Sequence, residues 1–94
     1  MPGQFELYQN YPNPFNAGTV IEFDVPTASD VELTIYNVLG QKVTTLVSSN
    51  MTAGHHRVEW NAEYAGGRAV TSGVYFYRFQ ADEFVSVRKL VVLK

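Results

Sequence analysis

The 94-residue chain has no cysteine, which excludes disulfides and cysteine-ligated metal sites but leaves an extracellular location open. It also lacks a basic excess, and its net charge of -2 argues against a protein that binds nucleic acid by neutralising phosphates. No apolar run approaches the roughly 20 residues of a membrane-spanning helix, so we expect no transmembrane segment. Met1-Pro2-Gly3 has neither the basic nor the apolar region of a secretory signal, and we interpret Met1 as an artificial start.

Aromatic side chains provide the material for a core without disulfides. Phe, Tyr and Trp make up 14% of the residues, and each ring buries about 150 to 250 Å² when packed. The length is close to the roughly 100 residues of an immunoglobulin-like sandwich and leaves little room for a second core. We therefore expect residues 1–94 to form a single domain.

Apolar residues alternate with polar ones through most of the chain, as strands with one buried face require. Phe5–Tyr8 is predicted to be the first strand and Lys42–Val47 the fourth, whereas the stretch 48–54 has the composition of a loop. Helical periodicity is missing throughout. The sequence predicts an all-β fold, an immunoglobulin-like antiparallel β-sandwich of about seven strands. The expected inward-facing sets are Ile21/Phe23/Val25, Val31/Leu33/Ile35, His56/Val58/Trp60 and Tyr75/Tyr77/Phe79.

The final strand breaks the alternation. Val85 and Val87 share one phase, whereas Leu90 and Val92 occupy the other. Because an unbroken strand cannot turn both pairs inward, the sequence predicts a β-bulge near Arg88–Lys89.

Catalytic and metal-binding patterns are weak. His55 and His56 are neighbours and would project to opposite faces of a strand, so they cannot readily share one metal ion. Glu22 and Asp24 would share a face, which is either a solvated surface or a cation site. Ser72 has no acid or histidine at the spacing of a nucleophile system. We expect no catalytic residues, no metal and no cofactor.

The opening run Tyr8–Asn16 is rich in Asn, Pro and aromatic residues. Its prolines favour extended or turn geometry, which would let Tyr11 or Phe15 plug one end of the sandwich while the asparagines satisfy the exposed backbone. Alternatively, Tyr8, Tyr11 and Phe15 could form an aromatic platform for sugars.

Several separate motifs have a fixed residue order. They are Leu7–Asn16, Val31–Val43, Val58–Trp60, Ser72–Arg78 and the terminal run Lys89–Lys94. In combination this chain resembles the C-terminal sorting domain, type A, of proteins exported by the bacterial type IX (Por) secretion system.

The resemblance implies an address tag, cut from the end of a larger secreted protein, that acts in the periplasm in transit and then at the outer-membrane surface or outside the cell. Its partners would be the secretion machinery in the outer membrane and a covalently linked upstream cargo domain. Carried over residue by residue, the recognition candidates are Gly73, Tyr75, Lys89, Val92 and Lys94, and the N-terminal motif is Pro12, Asn13, Pro14 and Phe15.

The physical mechanism that we expect is pairing of a partner with the edge of the last strand, which the basic residues Arg88, Lys89 and Lys94 protect from indiscriminate pairing. The alternative from another class is a carbohydrate-binding or cell-attachment accessory module.

Overall fold

Seven strands in two packed antiparallel sheets form the computed structural model, which describes residues 2–94. This confirms the immunoglobulin-like β-sandwich. Met1, interpreted above as an artificial start, lies outside the described residues. The strands are β1 Glu6–Leu7, β2 Thr19–Val25, β3 Ser29–Asn37, β4 Lys42–Met51, β5 Gly54–Trp60, β6 Gly73–Ala81 and β7 Phe84–Val92.

The smaller sheet has the order β1-β2-β5 and the larger one the order β4-β3-β6-β7. The last strand of the chain, β7, therefore lies at an edge of the larger sheet. No helix in the described part of the chain is long and apolar enough to span a bilayer.

The core lies between the sheets and is built from the alternating residues that the sequence predicts. Phe23 of β2 packs on Phe79 of β6 with ring centroids 4.8 Å apart. Trp60 is 2% exposed and has Tyr75 at 5.9 Å, edge to face. Such aromatic contacts bring the two layers together with large apolar area and defined geometry.

The predicted bulge in the final strand is wrong. β7 pairs with β6 in one continuous register, from Gly73↔Val92 to Ala81↔Phe84. Val85 and Val87 lie on the outer face, 47% and 54% exposed, because the strand keeps the phase that buries its later apolar residues. The irregularities occur instead between β3 and β4.

Two strand boundaries also differ from the prediction. β4 continues through Met51, because Ser48–Asn50 pair with β3 although their side chains are exposed and polar. Where both faces of an edge strand are exposed to solvent, the sequence shows no alternation of apolar and polar residues from which to predict the strand. β1 is shorter than predicted, since only Glu6–Leu7 pair with β2.

Candidate recognition site

Residues 9–16, which we call the clasp, are fastened to the sandwich by a buried polar network. Asn10 is 2% exposed, and its Nδ2 donates to Thr19 Oγ1 at 2.9 Å and to the Pro12 carbonyl at 3.2 Å. Thr19 Oγ1 donates to the same carbonyl at 2.8 Å. The asparagine thus satisfies backbone that the turn would leave unpaired, as the sequence predicts.

A tyrosine hydroxyl joins the clasp to β6. Tyr77 is fully buried, its oxygen accepts the Asn10 N–H at 2.9 Å, and its O–H donates to the Tyr8 carbonyl at 2.8 Å. Burial raises the pKa of Tyr77 to about 12, so the hydroxyl stays protonated and able to donate. The Tyr77 side chain therefore holds the backbone of Tyr8 and of the clasp residue Asn10.

The far end of the clasp pairs with the last six residues, 89–94, which we call the tail. Phe15 is 4% exposed and packs edge to face on Trp60 at 5.9 Å, so it is the plug that the sequence predicts. Its N–H donates to the Val91 carbonyl at 3.1 Å and its carbonyl accepts the Leu93 N–H at 2.8 Å. The alternative plug, Tyr11, is 78% exposed.

The clasp also covers the tail with side-chain amides. Asn13 Oδ1 accepts the Val91 N–H at 3.0 Å, and Gln9 Nε2 donates to the Lys89 carbonyl at 2.8 Å. The edge of the last strand, where we expect a partner to pair, is therefore already occupied at Val91–Leu93, because the chain's own N-terminal segment satisfies that backbone.

The tail side chains are divided between the core and the surface. Leu90 and Val92 are fully buried, whereas Lys89 and Lys94 are exposed and Leu93 is 57% exposed. The tail is thus anchored from inside, and its charged groups remain accessible to a partner.

The β3–β4 hairpin lies at the same end of the sandwich as the tail. Asn37 Oδ1 accepts the N–H groups of Leu39 and Gln41, both at 3.0 Å, which fixes the turn. Val38 and Leu39 are left 65% and 78% exposed at its tip. The sequence signal for this patch is two adjacent apolar residues in a turn, within the hairpin motif, and they were not among the predicted site residues.

A depression of about 230 Å³ separates this hairpin tip from the start of β6, and Gly73 and Tyr75 line it. Gly73 has φ of 152° with open space where a Cβ would lie, so backbone conformation rather than crowding favours glycine. Tyr75 is 4% exposed and its hydroxyl donates to the Thr71 carbonyl at 2.8 Å. Lys94 joins the same region, because its N–H donates to Ser72 Oγ at 2.9 Å.

The sequence-predicted candidates therefore lie at or near one end of the molecule, in two roles. Lys89 and Lys94 are exposed and Gly73 is half-buried, whereas Tyr75 and Val92 are buried and position the surface from beneath. We define the tail-end surface as Val38, Leu39, Leu93 and Lys94, which are exposed, with the half-buried Gly73 beside them.

A second polar cluster lies on the outer face of the smaller sheet. His55 places Nε2 at 2.6 Å from Glu22 Oε1 and Nδ1 at 2.6 Å from Asp24 Oδ1. Hydrogen bonds to Glu22 and Asp24 raise the pKa of His55. Among the described residues no group of His, Cys, Asp or Glu has the arrangement of a metal site. Because His55 is bonded to both carboxylates, this face is a charge-paired surface.

Tyr8 extends this cluster toward the clasp through a hydrogen bond from its hydroxyl to Asp24. That bond, with burial and nearby carboxylates, raises the pKa of Tyr8 to about 12. Desolvation also acts to raise the pKa of the Asp24 carboxyl, but hydrogen bonds from Tyr8 and His55 outweigh it and hold this pKa below its usual value.

The two histidines project to opposite faces, as predicted. His56 is half-buried and stacks on Phe23 with centroids 5.4 Å apart, while its Nε2 lies 2.7 Å from the Thr52 carbonyl.

Comparison with known proteins shows the family to which this chain belongs. The sequence model of the family described as "Secretion system C-terminal sorting domain" matches residues 9–93, from the first residue of the clasp almost to the end of the tail. The chain belongs to this family. Membership implies export toward the cell surface or exterior, and domains of this kind are in general sorting signals rather than catalysts. No protein with a curated description matches the chain.

Two solved structures are similar to this sorting domain. One is PorZ of Porphyromonas gingivalis, described as an essential bacterial surface component of the type-IX secretion system, with 25% identity and a TM-score of 0.67 over 94% of this chain. The other is dimeric latent PorU of the same organism, with 17% identity and a TM-score of 0.77 over 99% of this chain, a likeness of fold alone. The sorting domain corresponds to only 11% of the PorZ chain and 10% of the PorU chain.

Proposed function

We propose that this domain is a non-catalytic C-terminal sorting module, of type A, that directs a covalently linked upstream cargo protein through type IX secretion. The cargo would pass through the periplasm and reach the outer-membrane surface or the exterior, and the partner would be the secretion machinery in the outer membrane. Residues 1–94 would then be one domain of a larger secreted protein.

The observation that carries the proposal is the convergence of distant motifs at one end of the sandwich. The clasp, the β3–β4 hairpin tip, the start of β6 and the tail come from separate parts of the sequence, and each contributes to this end. Val38, Leu39 and Leu93 leave large apolar side chains in solvent at this end. Exposed apolar and charged residues grouped together are typical of a docking site.

Each candidate has a physical role in this proposal. Lys89 and Lys94 offer positive charge, and Gly73 supplies the positive-φ backbone at the edge of the depression beside the hairpin tip. Tyr75 and Val92 hold the start of β6 and the tail in place from inside the core. The clasp residues Pro12, Asn13, Pro14 and Phe15 mark the entrance to the domain from the upstream cargo.

The test is export of a folded periplasmic reporter fused to the N-terminus of residues 1–94, in a bacterium that has a type IX system. We expect the reporter in the medium or on the cell surface, and in the periplasm of a matched strain without the system. Periplasmic retention in both strains, with the domain folded, contradicts the proposal.

The alternative, a carbohydrate-binding or cell-attachment module, has less support from the geometry. Phe15 is buried, and the Tyr8 ring faces His55 at 5.7 Å, so the three aromatic residues do not form one platform. Only the 78% exposure of Tyr11 favours sugar binding. Glycan binding that Tyr11→Ala abolishes, without export of the reporter, would favour this alternative.

A further inference from the structure

The outer edge of β7 is closed at one end and open at the other. Alternate residues of an edge strand direct both backbone polar groups away from the sheet. In β7 and the tail, the outward-directed backbone groups of Lys89, Val91 and Leu93 form hydrogen bonds with the clasp. By the same alternation, the backbone N–H and C=O groups of Val85 and Val87 are also directed outward. Among residues 2–94, β6 is the only strand that pairs with Val85–Val87.

The clasp occupies the closed part as a short substitute for a strand. It forms a single parallel bridge, Phe15↔Val92, and adds two solvent-exposed side-chain hydrogen bonds, one donated by Gln9 and one accepted by Asn13. Phe15 is the one clasp side chain that plugs the core at this edge. The buried network of Asn10 fastens the start of the clasp, whereas its contact with the tail rests on these exposed hydrogen bonds and on one ring, Phe15. A segment held in this way is expected to open locally before the domain unfolds.

We propose that the clasp occupies the docking edge of the resting domain, and that a partner protein binds by replacing it with an extended acidic segment that runs parallel to β7. This inference rests on the proposed sorting function and deepens it. The clasp itself is the template, since it shows that an extended segment in the parallel direction satisfies Val91 and Leu93.

Charge and edge length favour an acidic partner segment over the clasp. Lys89 and Lys94 are exposed along this edge, and the clasp carries no acidic residue to pair with them. Arg88 adds positive charge beside them, although its Nε donates to the Leu7 carbonyl at 2.8 Å. A partner segment longer than the clasp would also form backbone hydrogen bonds with Val85 and Val87, which the clasp does not reach. This is the way in which peptides add a strand to an exposed sheet edge. A depression of about 310 Å³ between the clasp prolines and Leu93 gives access to the pairing.

The first test is amide hydrogen exchange of the domain. We expect the Val91 and Leu93 amides to exchange at least about tenfold faster than the core Leu33 amide, and Asn13→Ala to speed Val91 roughly tenfold further. Asn16→Ala is the matched control, because Asn16 is exposed and its side chain has no hydrogen-bond partner within the described chain. Wild-type Val91 and Leu93 amides that exchange as slowly as that of Leu33 overturn the inference. If Asn13→Ala does not fold, Gln9→Ala is expected to speed exchange of the same tail amides, and no change with Gln9→Ala overturns the inference.

The second test uses the reporter fusion with the same variants. We expect Asn13→Ala to be exported at least as fast as wild type, because its clasp is easier to replace. Slower export of Asn13→Ala than of Asn16→Ala means that the clasp is itself recognised, which overturns the inference while leaving the sorting function intact. Retention of the wild-type fusion contradicts the sorting function instead, and the exchange measurement still decides whether the clasp opens.

Discussion

At the scale of single residues, a few buried polar groups determine where the ends of the chain lie. Asn10 and Tyr77 belong to one buried hydrogen-bond network. Among the described residues, every buried side-chain nitrogen and oxygen has a partner. Buried polar groups contribute little net stability when satisfied and cost much when orphaned. The start of the clasp, at Asn10, is therefore positioned by groups for which the loss of a partner is costly.

Tyr77→Phe removes a hydroxyl that two clasp-proximal backbone groups use. We expect a loss of about 1 to 3 kcal/mol in the free energy of unfolding, because the Asn10 N–H stays buried without an acceptor. Urea denaturation measures this. Tyr36→Phe is the control, since that ring is half-buried and its hydroxyl has no hydrogen-bond partner among residues 2–94, and its effect should stay within about 0.5 kcal/mol. Equal effects of the two changes would contradict the role of Tyr77.

At the scale of strands, the phase of β7 decides which side chains a partner meets. The strand turns Leu90 and Val92 inward and leaves Val85 and Val87 on the outer face. In the smaller sheet, strand pairing places His55 of β5 between two carboxylates of β2, those of Glu22 and Asp24. Both ring nitrogens can donate only when the imidazole is protonated.

The register of β7 predicts different responses to two identical truncations. Val92→Ala should destabilise the domain by about 2 kcal/mol, because two fully buried methyl groups are lost. Val87→Ala should change the free energy of unfolding by less than about 0.5 kcal/mol, since this side chain is largely in water. Chemical denaturation of both variants decides between the continuous strand and a bulged one, in which Val87 would also be costly to truncate.

The His55 bridge predicts a pH-dependent stability. The raised pKa of His55 means that its contribution is complete below the ordinary value of 6.5 and is lost as pH rises through the folded value. The lowered pKa of Asp24 gives a contribution that is present above 3.8 and is lost as pH falls through the folded value. The bridge is thus strongest between these limits.

His55→Gln should therefore destabilise the domain more at about pH 5.5 than at about pH 9. Urea unfolding at both values measures the difference, and His56→Gln controls for loss of a histidine on the other face. A destabilisation by His55→Gln that does not vary with pH would show that the bridge does not depend on protonation.

At the scale of the whole molecule, sequence predicts what is local and misses what is brought together by topology. The inward sets such as Ile21/Phe23/Val25 and Tyr75/Tyr77/Phe79 follow from a period of two residues and are confirmed. The predicted bulge is wrong because apolar residues of a strand need not all lie inside, and Val85 and Val87 are exposed.

The site shows the same division. The motifs Pro12–Phe15 and Lys89–Lys94 were recognisable from their order, and the plug Phe15 was one of two residues predicted for that place. Their mutual pairing was not predictable, since Asn13 and Val91 are 78 positions apart and meet only through the sheet order. A pattern of residue types does not state which distant backbone group a side chain will satisfy.

The most direct test of the central claim, recognition at the tail-end surface, is the exported fraction of the reporter fused to two charge-reversed variants. Lys94→Glu changes the tail, and Arg57→Glu makes the same reversal at a 67% exposed side chain on the smaller sheet. We expect export to fall roughly tenfold with Lys94→Glu, a loss of about 1.4 kcal/mol in recognition, and to stay near wild type with Arg57→Glu. Equal export of both folded variants would contradict recognition at this end of the sandwich.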